Sequence, residues 1–120
     1  MEAHLTFSLK YSRLRISPAT LRAIGKPDRI CILLSEDRKR LLIVPHDNRD
    51  FLSHKVSRNV YIKGNQQDIH SKKLCTIIGR IHGWSLEKSY VVPGVINTEK
   101  KKAAFDLTSA TELIGEIQNE

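Results

Sequence analysis

Few residues of this 120-residue chain are of types that do chemistry, and their spacing is mostly wrong for it. Five histidines stand at His4, His46, His54, His70 and His82. None belongs to an HExxH pair or to a CxxC arrangement with a following histidine, the spacings that bring several ligands to one metal ion. Cys31 and Cys75 have no neighbouring ligand either; in their apolar surroundings they are expected to be buried thiols of a reducing compartment rather than a disulfide. The one compact acid and imidazole group is His46-Asp47 with Asp50. A metal nuclease or hydrolase needs carboxylates converging from rigid elements, whereas this trio lies in a polar stretch suited to loop hydrogen bonding. The six glycines are scattered at turns and ends, so no phosphate-cradling loop is present. The expectation is a non-enzymatic protein without metal or cofactor.

Charge is the stronger signal. The formal net charge is +7, and it is uneven: Lys10 to Lys88 holds 17 Lys or Arg against 7 Asp or Glu, while the only charges after Asp106 are Glu112, Glu116 and Glu120. A basic body favours capture of an anionic partner without specifying a sequence. The runs Arg38-Lys39-Arg40 and Lys100-Lys101-Lys102 fall at predicted hairpin tips, where solvated charge needs no other explanation. Tyr11 and Tyr61 have basic neighbours but form no base-stacking series, and Trp84 is expected to plug the space between a helix and a hairpin.

These residues must be held by something. The length suits one domain, or two half-size units sharing a core. The longest apolar runs, Ile30 to Leu34 and Leu41 to Val44, are far short of a membrane span, and no secretion signal is read at the N-terminus, so a cytoplasmic location without membrane contact is expected.

Along the chain, Leu5, Phe7 and Leu9 alternate with polar residues from His4 to Lys10 as in a half-buried strand, and Leu14 and Ile16 continue the pattern with Arg13 and Arg15 on the other face. Ser17-Pro18 predicts a helix start, Leu21 and Ile24 its apolar face, and Gly25 its end. Arg29–Leu34 and Arg40–Val44 predict a hairpin. Residues 46–60 read as a linker with Phe51 and Leu52 tacked onto the core, and Lys55 through Ile62 as a candidate strand. Ser71 then caps a helix from Lys72 to Gly79 or slightly beyond, with Leu74, Ile77, Ile78 and Ile81 apolar. Lys88 to Val95 and Ala103 to Leu107 predict a second hairpin, with Pro93-Gly94 implying an edge, a bulge or a bend. Leu113, Ile114 and Ile117 suit either a short helix or a frayed tail.

The second half repeats the first. Ile16 to Ile24 sets over Ile69 to Ile77 without a gap, with Ile16/Ile69, Leu21/Leu74 and Ile24/Ile77 coinciding at an offset of 53. The organisation predicted is a first strand-helix-hairpin half-unit over 1–45, a linker over 46–60, a second half-unit over 61–107 and an acidic tail or short helix over 108–120, around one core.

The stretch Arg13-Leu14-Arg15-Ile16-Ser17-Pro18-Ala19-Thr20-Leu21-Arg22-Ala23-Ile24-Gly25, followed by a hairpin ending Arg40-Leu41-Leu42-Ile43-Val44-Pro45, resembles the swapped-hairpin domain of the AbrB/SpoVT/MazE regulators and antitoxins. Pro18, Leu21, Arg22, Ile24 and Gly25 fall on its motif positions, with Ser17 in place of the usual apolar residue. The second half matches only through Ile69, Leu74 and Ile77. The resemblance implies a mainly β fold with short helices, an AbrB-like swapped-hairpin small barrel formed by two intrachain half-units, as a monomeric pseudo-dimer or a homodimer. It further implies a DNA-binding transcriptional regulator of a small prokaryotic or mobile-element type, with double-stranded DNA as partner. Arg13, Arg15 and Arg22 would be the contacts in the first half, and Lys72, Lys73 and Lys63 their looser counterparts in the second. The alternative expectation is a protein-interaction module, such as an antitoxin-like or inhibitor protein, that blocks a protein target without binding DNA.

Overall fold

A computed structural model describes residues 1–48 and 53–114. The alternation around Leu5 and Phe7 forms β1, Glu2–Ser8. A 3-10 turn over Leu9–Tyr11 and a left-handed Ser12, φ 52°, lead into β2, Arg13–Ile16. Ser17 accepts a hydrogen bond from the Thr20 amide and Pro18 opens α1, Pro18–Ala23, which ends before Gly25 at φ +100°. β3, Arg29–Leu34, and β4, Arg40–Pro45, form a hairpin.

The stretch 46–60 is more than a linker. It contributes β5, Ser53–Lys55, which pairs with β3, and the start of α2, Arg58–Ile62. The strand expected from Lys55 through Ile62 is therefore a helix over most of its length. A local cap and two tertiary contacts decide this: Ser57 Oγ accepts from the Asn59 amide to start the turn, Val60 is buried in the core, and the Tyr61 hydroxyl donates to the Pro27 carbonyl at 2.7 Å. Phe51, Leu52 and Asp50 lie outside the described residues.

β6, Gln67–His70, leads to α3, Lys72–His82, capped by Ser71 and closed by a left-handed Gly83. Its buried residues are Cys75, Ile78 and Gly79, so the expected apolar face is rotated; Ile77 is 40 % exposed and Ile81 38 %. β7, Ser89–Asn97, and β8, Lys102–Asp106, form the second hairpin. The region expected as a tail or helix instead holds a 3-10 turn, Leu107–Ser109, and β9, Thr111–Glu112, paired with β7; Ile117 lies outside the described residues.

Pro93-Gly94 also departs from expectation, because β7 is paired along both edges. The Leu9 and Ile96 amides bond the Lys88 and Met1 carbonyls, and this alternation turns the Pro93 nitrogen away from β1. On the other edge β9 reaches only Tyr90 and Val91, and β8 begins at Gly94, so no ladder bond is asked of the proline. Gly94 is needed for space, since a Cβ there would run into the Phe105 ring and sit 2.5 Å from the Ala104 carbonyl oxygen.

Among the described residues, eight strands in the order β5-β3-β4-β8-β7-β1-β2-β6, with β9 paired to β7 on the edge that β8 leaves open, curl into a small, mainly β, nearly closed barrel. Leu5, Phe7, Ile16, Ile30, Ile43 and Phe105 are among the fully buried residues of its core. β5 and β6 form no ladder; across that seam the Ser57 amide donates to Gln67 Oε1 at 2.8 Å.

The ladders repeat along the chain. Ile32 pairs with Ile43 and Leu33 with Leu42; Gly94 with Phe105 and Val95 with Ala104 repeat both pairs 62 positions later. β4 and β8 pair antiparallel about Leu42 and Ala104, and β2 and β6 about Arg15 and Asp68. Exchanging β1 to β4 with β5 to β8 leaves the ring order unchanged, except that the β1–β2 ladder has no β5–β6 counterpart. In the helices the matching positions are 54 apart, not 53: Ser17 and Ser71 are both caps, and the buried Leu21 and Ile24 match the buried Cys75 and Ile78. The expected equivalences of Leu21 with Leu74 and Ile24 with Ile77 thus slip by one residue. No helix among the described residues is long and apolar enough to cross a membrane.

Candidate nucleic-acid interface

Because Leu14 and Ile16 point into the barrel, Arg13 and Arg15 lie on its outer face. Opposite them in β6 stand His70 and Asp68, and in β1 Ser8 and Thr6. Arg15 donates to Asp68 through Nε at 2.7 Å and through a terminal nitrogen at 3.0 Å. These hydrogen bonds hold the Asp68 carboxyl below its usual range, against a desolvation that opposes them, and the Arg13 and His70 charges add to the effect. Arg15 is thereby occupied within the protein.

Arg13 is not. Its Nε is buried with no hydrogen-bond partner, and a terminal nitrogen reaches Ser8 Oγ only at 3.5 Å. Its guanidinium lies 5.6 Å from the centre of the Tyr11 ring, and Lys10 Nζ lies 6.0 Å from that same centre. Tyr11 itself is 62 % exposed. The turn carrying these residues is tied to the start of α3, since the Ser71 amide donates to the Ser12 carbonyl at 2.9 Å. Lys72 and Lys73, both exposed, follow directly, and the first turn of α3 holds no acidic residue. One end of the barrel therefore gathers Lys10, Arg13, Lys72 and Lys73, with Tyr11 and His70, and its nearby carboxylate, Asp68, is engaged by Arg15.

Arg22 and Lys63 belong elsewhere. Arg22 donates to the Tyr61 carbonyl at 3.0 Å, joining α1 to α2, and Lys63 is the exposed residue that ends α2. Of the six positions carried by the resemblance, the fold brings Arg13, Lys72 and Lys73 together, places Arg15 beside them in an ion pair, and sets Arg22 and Lys63 apart. Lys10, Tyr11 and His70 were outside the expected set. The available signal was that Tyr11 sits between Lys10 and Arg13 at a break in the strand pattern.

The remaining reactive side chains have structural surroundings. Trp84 stacks on Tyr90 with ring centres 4.6 Å apart and meets the Phe7 ring edgewise at 5.5 Å. His82 Nε2 hydrogen-bonds the Arg38 carbonyl at 2.9 Å, and burial followed by the Arg29 charge lowers the pKa of His54. Both cysteines are buried thiols, and burial pushes Cys75 up to about 11. Among the described residues no three His, Cys, Asp or Glu side chains converge to hold a metal ion. Compared with protein-family models, with curated proteins and with solved structures, the chain gives no match.

Proposed function

We propose that the protein is a non-enzymatic DNA-binding regulator, a single-chain pseudo-dimer of the AbrB-like swapped-hairpin type, which grips the phosphate backbone with the end of the barrel around Tyr11. The observation that carries this reading is the under-satisfied Arg13 guanidinium, flanked by Lys10, Lys72 and Lys73 beside an exposed tyrosine. Phosphate oxygens can accept from the terminal nitrogens of Arg13, which are held only by the long Ser8 contact, while the buried Nε stays out of their reach; lysines at the start of α3 add charge where the helix dipole is already positive. The repeated ladders and the ring order support the pseudo-dimer. Asymmetry is built in, because at the other end Arg22 is held to α2 by its bond to the Tyr61 carbonyl.

The test is fluorescence anisotropy with a labelled random duplex at 50 and 200 mM salt. The expected result is micromolar binding at low salt that weakens at least tenfold at high salt, and about tenfold weaker binding for Lys72→Gln/Lys73→Gln with a shallower salt slope. Absence of binding at 50 mM salt would overturn the reading.

A second reading, a protein-interaction module, is favoured by one specific feature. Leu33, Leu42, Ala104 and Val95 form a continuous row across the outer faces of β3, β4, β8 and β7, with Leu33 44 % and Val95 61 % exposed. A Leu33→Glu/Val95→Glu variant that binds duplex normally but changes the sedimentation of the protein would show that the row serves self-association instead.

A further inference from the structure

The geometry points to a second anion site: a pocket for a phosphorylated small molecule of nucleotide size, sharing no residue with the surface around Tyr11. A cavity of about 530 Å³ opens where the end of α1, the start of β3, the end of β4, the β5–α2 junction and the β7–β8 turn meet. That volume is within the usual range for small-molecule sites. Arg29, Lys55, Arg58 and Lys101 converge on it from three segments, the start of β3, the β5–α2 junction and the β7–β8 turn, against the carboxylates of Asp28 and Asp47.

The cations are held in place by different means. Arg29 Nε donates to Ser53 Oγ at 2.8 Å, which fixes the guanidinium against β5. Lys101 occupies a left-handed position in the β7–β8 turn, φ 53°, and its stem lies over Gly25: a Cβ on that glycine would come 3.3 Å from Lys101 Cδ and 3.6 Å from Nζ. The missing side chain at position 25 is what lets the lysine run along the cavity wall. The side chains of Lys55, Arg58 and Lys101 enter no hydrogen bond or ion pair among the described residues, although Asp28 and Asp47 line the same cavity.

Four cations against two carboxylates leave an excess of two charges, which matches a phosphate or diphosphate group. Half-buried Pro27 and Pro45 supply apolar surface for an uncharged remainder such as a base and sugar, with the buried Ile24 and Val56 behind them. An organic phosphate satisfies both parts of this lining, whereas an inorganic anion satisfies only the first.

Isothermal titration calorimetry of the full chain against ADP, inorganic pyrophosphate and adenosine tests the assignment. ADP is expected to bind saturably, pyrophosphate about tenfold more weakly, and adenosine not at all. Lys55→Gln/Arg58→Gln and Lys101→Gln are each expected to weaken ADP about tenfold or more with an unchanged circular-dichroism spectrum. Random duplex at saturating concentration should leave ADP binding unchanged, whether or not that duplex proves to be a ligand of the Tyr11 surface. No heat of binding with ADP up to millimolar concentration, binding that survives both variants, or displacement of ADP by the duplex would each overturn the site.

Discussion

Arg15 and Asp68 face each other across β2 and β6, joined by two hydrogen bonds, and they sit where the two halves of that ladder mirror one another. The pair is partly open to water, 38 % and 30 % exposed, so solvent screening keeps its contribution small. Asp68→Asn is expected to cost about 0.5 to 1 kcal/mol at pH 7 by urea unfolding. The folded-state pKa of Asp68 is depressed, so its stabilisation is present above the ordinary carboxylate range and lost as pH falls through the folded value. Wild type and variant should therefore converge only once the pH has fallen below the depressed folded value of Asp68. The same variant removes the carboxylate beside Arg13 and releases Arg15, so duplex affinity should rise several-fold; a fall would count against the Tyr11 surface.

Gly94→Ala should be among the costliest single-methyl changes in the chain. The added Cβ meets the Phe105 ring and a backbone carbonyl of the neighbouring strand, and the carbonyl cannot swing aside as a flexible side chain would. A loss of about 3 kcal/mol is expected, measured as a shift in the denaturation midpoint, and Phe105→Leu in the same chain should restore only part of it.

Ser17→Ala and Ser71→Ala each remove an oxygen that accepts from the amide three residues on. Each should cost about 1 kcal/mol. Glycine at either site should cost only a few tenths, because it tolerates the cap conformation and leaves the amide open to water. Equal losses for alanine and glycine would show that the serines act through packing.

Cys75 should resist alkylation in the native protein. Burial raises its pKa to about 11, so at pH 8 only about one thiol in a thousand is ionised even before access is considered. Mass spectrometry after iodoacetamide treatment should find Cys75 unmodified until denaturant is added; rapid native labelling would mean that α3 opens readily.

Much of the framework was legible because it rests on local rules. Alternation gave β2, Ser17-Pro18 gave α1, and the apolar run after Arg29 gave β3. The errors arose where a tertiary partner overrides a local signal. Val60 and Tyr61 look like strand residues, yet one fills the core and the other bonds Pro27 across 34 positions. Pro93 looks like an edge residue until β8 and β9 are seen to share its edge. The two helices correspond through their serine caps, which stand 54 apart, whereas the run of apolar residues in α3 offers an equally good match at 53. For the site, Arg13 was legible as an outward arginine, but its neighbours Lys72 and Lys73 depend on the Ser12–Ser71 hydrogen bond, which no spacing in the sequence announces. The pocket at Lys101 was illegible for the same reason: its cations come from three separate stretches of chain.

The seam between β5 and β6 gives the barrel a direction in which to yield. Every other neighbouring pair in the ring is stitched by a ladder, while here the Gln67 side chain reaches across to the Ser57 amide. Parting Ser53–Lys55 from Gln67–His70 breaks no ladder bond, so the first breath of the native molecule should run along this line and leave the two hairpins intact.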